Sequence, residues 1–340
     1  MRVCVYCRAS EADGVTFNDE HVLPKMFGKF RNSQSLLLKC VCEPCNSAFS
    51  RDFERDLGRD SVEAVLRLLF RVKNPDDARE MSYSRVTMTY RGEGFYKGAR
   101  VRFAPGETAD KLFNVELLPQ AVFHHPKHPE PVALEPHEIS ADAIAPFSRG
   151  GAVYLFGSRE DVESMVASLK NAGWRGTRED SPPVDAPSGE SLMRFDYHLD
   201  DPVRRAVMKI AFNYLVATAG FDFASQPAFD AVRSYVRTGA PSLRHWVQTS
   251  WGSMEGDGSR NRYGDGHLIA VHWMHTPASQ VIAQLSFFNR ITHHVLLADA
   301  AATERVIWRD INAAHFFDLA TREAKKLKPS RALDLIPFRP

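Results

Sequence analysis

Two short stretches, Cys4-Val5-Tyr6-Cys7 and Cys42-Glu43-Pro44-Cys45, decide the fold of the N-terminal part of the chain. Each stretch spaces two thiols three positions apart, which lets a tight turn present both thiolates to one metal ion. All five cysteines lie before residue 46 of a 340-residue chain, and a disulfide framework is unusual for such a chain. The pattern therefore predicts a structural Zn²⁺ site built by Cys4, Cys7, Cys42 and Cys45. We expect the fifth cysteine, Cys40, to be a buried thiol in the strand that enters the second pair.

The composition, with 44% hydrophobic and 25% charged residues, is that of an ordinary globular protein. The length favours two domains, and we place a small module at 1–78 and a larger domain at 79–340. No apolar run reaches the length of a membrane span, and the first residues carry no apolar signal-peptide core. The sequence thus predicts a cytoplasmic protein without a membrane partner. A formal net charge of +1 gives no overall basic field, so a nucleic-acid partner has to be held by a local basic patch.

Hydrophobic periodicity predicts an α+β protein, in which the small module is followed by a larger mixed domain. Apolar residues at helical spacing predict a helix over 47–71 with a break near Gly58, and alternating β-branched and aromatic residues predict a β-rich section at 80–150. Central helices are expected at 200–240. The remaining predicted elements are a strand at 152–156, a helix capped by Ser158, a loop over 179–191, a buried helix over 203–219, a helix over 227–238, and strands over 268–273, 280–288 and 291–297.

Between the two cysteine pairs lies Glu20-His21-Val22-Leu23-Pro24-Lys25, and Asn46 follows Cys45 directly. Together with the cysteine pairs, these stretches resemble the HNH endonuclease family over roughly residues 1–60. The resemblance implies a zinc-stabilised ββα-metal module in which His21 is the general base, while Glu20 and Asn46 hold a catalytic Mg²⁺ or Mn²⁺. Such chemistry suits phosphodiester hydrolysis, which needs a base of near-neutral pKa and a cation beside the phosphate.

Two features that the resemblance implies depend on the three-dimensional structure. Neighbouring strand residues point to opposite faces, so Glu20 and His21 serve one site only if the backbone is irregular there, as the family implies. The middle asparagine of the family, which orients the histidine, is replaced by Leu37. The candidates for its role are Asn32, Gln34 and Ser35.

Two basic groups are candidates for contact with a nucleic-acid backbone. We favour Lys25, Lys29 and Arg31, which follow the predicted catalytic histidine. The second group recurs at four-residue spacing on one helix, and acidic residues lie between its members. The pattern predicts a solvated face of salt bridges at least as strongly as a stripe that contacts phosphates. Its members are Arg51, Arg55 and Arg59, and the acidic residues are Asp52, Glu54, Asp56 and Asp60.

The function that follows is hydrolysis of DNA, with RNA not excluded, by an endonuclease of the kind found in bacterial or phage-related defence. Residues 79–340 are then expected to recognise the target or to sense a signal. The alternative is a zinc ribbon that binds nucleic acid or protein without catalysis. The sequence leaves the oligomeric state open, and we interpret the histidines at 124–128 and 267–294 as packed or solvated residues rather than as a second metal site.

Overall fold

A computed structural model describes residues 1–72, 81, 85–92, 94–108, 111–148, 150–177, 193–252, 264–274, 280–299 and 311–327. The predicted loop at 179–191 lies outside these residues. The helices are α1 (Glu43–Phe49), α2 (Arg55–Arg59), α3 (Val62–Leu69), α4 (Ala141–Ile144), α5 (Arg159–Asn171), α6 (Asp201–Ala219), α7 (Phe221–Ala224) and α8 (Asp230–Thr238), with a π-helical turn at Ser50–Glu54.

The strands complete a mixed α+β architecture, as predicted. They are β1 (Phe17–His21), β2 (Leu37–Cys42), β3 (Val86–Tyr90), β4 (Arg100–Thr108), β5 (Lys111–Leu117), β6 (Gln120–His125), β7 (His128–Leu134), β8 (Ala152–Phe156), β9 (Met193–Tyr197), β10 (Val247–Trp251), β11 (Gly266–Met274), β12 (Gln280–Phe287), β13 (Ile291–Ala298), β14 (Asn312–Asp318) and β15 (Glu323–Leu327). No helix within the described ranges combines the length and the apolar composition needed to cross a membrane.

The chain forms two compact units, one made of Met1–Lys73 with Leu199–Pro340 and one made of Asn74–His198. The boundary expected after residue 78 lies close to the first of these divisions. The N-terminal segment, however, is grouped with the last part of the chain, and Asn74–His198 is an insertion between them. The reason is that α6 and the strands after it share a hydrophobic core with the N-terminal segment.

That shared core is visible in aromatic contacts over long sequence distances. The ring of Phe27 stacks on Phe287 at a centroid distance of 4.4 Å, and Phe70 stacks on Phe288 at 5.1 Å. Beneath them, β10-β13-β12-β11-β14-β15 form an antiparallel six-stranded sheet, against which α6 packs. The N-terminal segment therefore packs on this sheet and shares a core with it.

A β-hairpin and a helical segment organise the N-terminal part of the first unit. Antiparallel β1 and β2 pair Asn18 with Val41 and Glu20 with Leu38, so Asp19 faces two residues of β2, Lys39 and Cys40. From Glu43 to Arg59 the chain is helical, and Phe49, Phe53 and Leu57 are buried at four-residue spacing. The predicted break near Gly58 is confirmed, because α2 ends at Arg59 and the Ser61 side chain accepts from the Ala64 amide at 3.2 Å to cap α3.

The second unit is rich in strands, as predicted for 80–150. It contains a four-stranded sheet, β5-β4-β3-β9, and a three-stranded sheet, β7-β6-β8. Helix α5 packs on the smaller sheet around a buried cluster that includes Phe123, Phe147, Met165 and Leu169. The Ser158 cap predicted for this helix is confirmed, since its hydroxyl accepts from the Asp161 amide at 3.1 Å.

Candidate metal centre and catalytic site

The four predicted zinc ligands converge on one point. The ligand sulfurs of Cys4, Cys7, Cys42 and Cys45 all lie within 4.8 Å of one another. Sulfurs bound tetrahedrally at the Zn–S distance of about 2.3 Å are about 3.8 Å apart, so only a small contraction separates this set from a zinc cage. Cys40 is not a member of the cluster, as expected, and burial raises its pKa to about 11.

Local backbone geometry explains how the sulfurs meet. The first pair lies in a turn closed by a hydrogen bond from the Arg8 amide to the Cys4 carbonyl at 3.0 Å, and the second pair lies at the start of α1. A hydrogen bond from Cys45 lowers the pKa of Cys4 to about 4 and raises that of Cys45. Thiolates this close repel one another, and a divalent cation offsets that repulsion. The donor set therefore fits Zn²⁺.

Glu20 is buried, only 5% exposed, and faces α6 rather than solvent. Its Oε1 atom accepts from Lys209 Nζ and, at 3.1 Å, from Asn213 Nδ2. The same ammonium donates to Glu54 in the π-helical turn, and the Tyr6 hydroxyl donates to Asn213 Oδ1 at 2.7 Å. Burial acts to lower the pKa of Lys209, but the two carboxylates outweigh it and raise that pKa, so the ammonium stays charged.

His21 ends β1 and is half-buried. Burial, reinforced by the nearby charge of Lys25, lowers the pKa of His21, while Asp19 acts in the opposite direction. The ring is therefore neutral near neutral pH and carries the unprotonated nitrogen that a general base needs. Within the described part of the chain, neither ring nitrogen has a hydrogen-bond partner, so none of Asn32, Gln34 and Ser35 orients it through a hydrogen bond here.

The irregularity of the hairpin differs from the one that the resemblance implied. It lies in β2, where Lys39 and Cys40 face Asp19, and Glu20 and His21 remain consecutive residues of a regular strand. Their side chains thus leave opposite faces of β1. Leu37, which replaces the middle asparagine of the family, lies directly across from His21.

Asn46, in the first turns of α1, lies against β1. Its Nδ2 donates to Asn18 Oδ1 at 2.9 Å. Asn18 and Glu20 are two positions apart on β1 and share a face, so Asn46 is on the same side of the hairpin as Glu20. The bond to Asn18 leaves Asn46 Oδ1 available, and both bonds to Glu20 use Oε1. Carboxylate and amide oxygens are the donors that Mg²⁺ and Mn²⁺ prefer, so the chemistry of Glu20 and Asn46 suits a hard divalent cation.

The three cations favoured for nucleic-acid contact have different surroundings. Lys25 is exposed and lines a pocket with the helical segment at 47–59. Lys29 is also exposed but does not line that pocket. Arg31 joins the hairpin region to β15, through an ion pair with Glu323 at 3.1 Å and a bond from its amide to the Arg322 carbonyl at 2.8 Å.

Sequence reasoning missed Lys209 and Asn213, which lie on α6 far from the cysteine pairs along the chain. One signal was available. The helix over 203–219 is apolar nearly all round, and a lysine and an asparagine four positions apart share one of its faces. Polar groups on a buried helix require partners, and here the partners are Glu20, Glu54 and Tyr6.

Residues 4–61 match the HNH endonuclease family. The matched segment contains both cysteine pairs, the hairpin β1–β2, helix α1 and the π-helical turn. No curated protein matches the chain, and no solved structure does. The match suggests nuclease chemistry for this segment, and the likeness ends before α3.

Proposed function

We propose that this protein is a metal-dependent endonuclease that hydrolyses phosphodiester bonds of DNA. The observation that carries the proposal is the match of residues 4–61 to the HNH family, in a segment where four cysteine sulfurs converge and join the turn of Cys4 and Cys7 to the start of the helix of Asn46. The fit of those sulfurs to Zn²⁺ gives the segment a cross-link that a small module needs in order to hold a site together.

His21 is the general base in this proposal. Its neutral ring accepts a proton from the attacking water at an unprotonated nitrogen, and the lowered pKa keeps that nitrogen free near neutral pH. Glu20 Oε2 and Asn46 Oδ1 would hold Mg²⁺ or Mn²⁺, which would neutralise charge on the phosphate and on the departing oxygen. Because Glu20 and His21 leave opposite faces of β1 in this structure, the proposal requires β1 to become irregular at these residues when metal and substrate bind. The family resemblance implies 5′-phosphate and 3′-hydroxyl products.

Lys209 and Asn213 are positioning residues. Both donate to Glu20 Oε1, which fixes the carboxylate in one orientation and opposes the rise in its pKa that burial causes. The Tyr6 hydroxyl in turn holds Asn213, so the loop of the first cysteine pair is coupled to the carboxylate. Loss of either donor should weaken the affinity for the metal ion more than it slows the chemical step.

A plasmid-nicking assay with Mg²⁺ or Mn²⁺ tests the proposal. We expect the wild-type protein to cut and His21→Ala to lose about 10²–10⁴-fold in rate, the range typical of a general base. His137→Ala is the matched control, because that histidine is 77% exposed and lies in the second unit. Equal cutting by wild type and His21→Ala, or no cutting of plasmid, single-stranded DNA and RNA by wild type, would overturn it.

The second candidate function is a zinc-stabilised module that binds nucleic acid or protein without cutting. It is favoured by Leu37 in place of the orienting asparagine and by the engagement of Glu20 with Lys209. Binding of a DNA duplex that stays intact with every divalent cation tried, and that is unaffected by His21→Ala, would support it over the nuclease.

A role in defence against phage is part of the proposal, together with target recognition or sensing by the chain after residue 78. The support is the length of chain that follows the HNH segment and lies outside the family match. If this role holds, purified protein should cut phage DNA and host DNA at different rates under the same conditions. Equal rates on both would argue against it.

A further inference from the structure

A pocket of about 650 Å³ lies between the turn that follows His21 and the helical segment at 47–59. Its size is within the range of sites that hold a ligand. The residues that line it are Pro24, Lys25, Met26, Ser47, Ser50, Arg51, Glu54, Arg55, Gly58, Arg59 and Arg67.

The lining is strongly basic. Five of its side chains are cationic, namely those of Lys25 and of the arginines at 51, 55, 59 and 67, against one carboxylate, that of Glu54. The Glu54 carboxylate is already bound by the buried ammonium of Lys209. The chain as a whole carries a formal net charge of only +1, so the pocket is a local concentration of positive charge.

The cations are arranged in a row. Arg51, Arg55 and Arg59 are exposed and recur at four-residue spacing, on the side of the helix away from the buried Phe49, Phe53 and Leu57. At a rise of 1.5 Å per residue this row extends about 12 Å. One strand of duplex DNA carries a phosphate every 3.4 Å along its axis, so the row extends over about three or four phosphates.

Three of the four acidic residues interspersed with the arginines do not line the pocket; the fourth, Glu54, lines it and is bound by Lys209. Asp52, Asp56 and Asp60 lie outside the lining, and Asp52 pairs with its neighbour Arg51 at 2.9 Å. Arg55 and Lys25 have no carboxylate partner among the residues that the structure describes.

The floor of the pocket is fixed. Arg67 is buried at 2% exposure, and its Nε donates to the Met26 carbonyl at 2.6 Å while its Nη1 donates to the Gly58 carbonyl. These bonds tie the turn of Lys25 to the helical segment that carries the arginine row. The two walls are thus held in place before any ligand binds, which lowers the entropic cost of binding.

The composition of the walls identifies the ligand class. The described lining includes no aromatic side chain, so bases have no stacking platform here, whereas arginine forks and serine hydroxyls match phosphate oxygens. The pocket also adjoins the catalytic site, because Pro24 and Lys25 closely follow His21 and Glu54 shares Lys209 with Glu20.

We propose that this pocket binds the phosphodiester backbone of the DNA substrate, through Lys25 and the arginine row, and delivers it to His21. This inference rests on the proposed nuclease function for the identity of the ligand. The contact with the DNA backbone is thereby assigned to the helical segment, whereas the sequence favoured Lys29 and Arg31 for it.

Binding of a fluorescein-labelled 20-base-pair DNA duplex tests the proposal, by anisotropy at several salt concentrations. The measurement uses the full chain carrying His21→Ala, in Ca²⁺, so that cleavage does not interfere. We expect Arg55→Gln to weaken binding about threefold or more at 200 mM salt and to reduce the slope of log K against log salt by about 0.9, the contribution of one phosphate contact. Arg55→Lys should lose less, because it keeps the charge.

Lys39→Gln is the matched control, since Lys39 is exposed in the same module on β2 and does not line the pocket. Unchanged affinity and slope for Arg55→Gln and Lys25→Gln, or an equal loss for Lys39→Gln, would overturn the inference. A larger loss for Lys29→Gln than for Arg55→Gln would also overturn it and restore the site favoured by the sequence.

The outcome separates the inference from the nuclease proposal. If wild-type protein cuts nothing while Arg55→Gln still weakens duplex binding, the pocket stands and the nuclease fails. If wild-type protein cuts DNA while the pocket variants bind as wild type does, the pocket fails and the nuclease stands. A loss confined to an RNA duplex would overturn DNA as the ligand.

Discussion

Lys209 on α6 donates to Oε1 of Glu20 on β1, and these side chains are only 1% and 6% exposed although they are 189 residues apart in the chain. The contact ties the strand of the predicted base to a helix outside the HNH segment. Because Lys209 also neutralises Glu54, one ammonium compensates two carboxylates. The charge balance of the candidate site therefore depends on a residue that the family match does not include.

Replacing Lys209 should destabilise the protein strongly. In Lys209→Met, two carboxylates lose their common cation, and breaking a buried ion pair in this way costs about 3–5 kcal/mol. Denaturant unfolding measures the loss. Arg51→Gln, which removes an exposed ion pair with Asp52, is the control and should cost less than about 1 kcal/mol. A loss below about 1 kcal/mol for Lys209→Met would contradict the importance of this contact.

Zinc should bind in a ratio of one ion per chain and depend on the four clustered thiols. We expect Cys45→Ala to lose the metal and to unfold at a lower temperature, because the first cysteine pair and α1 lose their cross-link. Metal content by mass spectrometry and the thermal midpoint are the measurements. Cys40→Ala is the control and should have the metal content and the thermal midpoint of the wild-type protein. Retention of a full equivalent of zinc by Cys45→Ala would show that the cluster is not the site.

Acid should destabilise the protein through His267, which is fully buried between the hairpin region and the sheet. Its Nε2 donates to the Phe27 carbonyl at 3.0 Å, its Nδ1 accepts from the Phe288 amide at 3.3 Å, and burial lowers its pKa to about 3. Between pH 6.5 and 3 the unfolded chain binds a proton there that the folded chain does not. The free energy of unfolding should therefore fall with decreasing pH by up to about 1.4 kcal/mol per unit for this group.

The variant His267→Gln isolates this contribution. Its unfolding free energy, followed by denaturant titration from pH 7 to pH 4, should depend less steeply on pH than that of wild type. His137→Gln removes an exposed histidine and should leave the slope as it is. Identical slopes for wild type and His267→Gln would rule out His267 as a source of the acid sensitivity.

A fragment of residues 1–80 should not fold independently, even with zinc. It lacks Lys209 and Asn213, so Glu20 would be left without either donor, and Phe27 would lose the ring of Phe287. We expect broad amide resonances of low dispersion for the fragment with one equivalent of zinc. A well-dispersed spectrum would mean that the HNH segment carries its own core and that α6 only adds to it.

The sequence by itself determined the features that depend on local spacing. The two C-x-x-C pairs predicted the sulfur cluster, since a three-position spacing fixes where a turn places its thiols. Helical periodicity gave α6, and alternation or continuous apolar runs gave the strands β11, β12 and β13 close to their observed bounds. The break near Gly58 followed from the same kind of pattern.

Only the tertiary structure decided which groups surround the candidate site. The pairing of Glu20 with Lys209, the return of residues 199–327 to the N-terminal segment and the use of Arg31 to contact Glu323 all join positions far apart in the chain. The arginine row became one wall of a pocket because Arg67 anchors the facing turn. Periodicity records which face of an element is apolar, but not which distant element covers that face, and the charges that meet across such contacts follow from the packing.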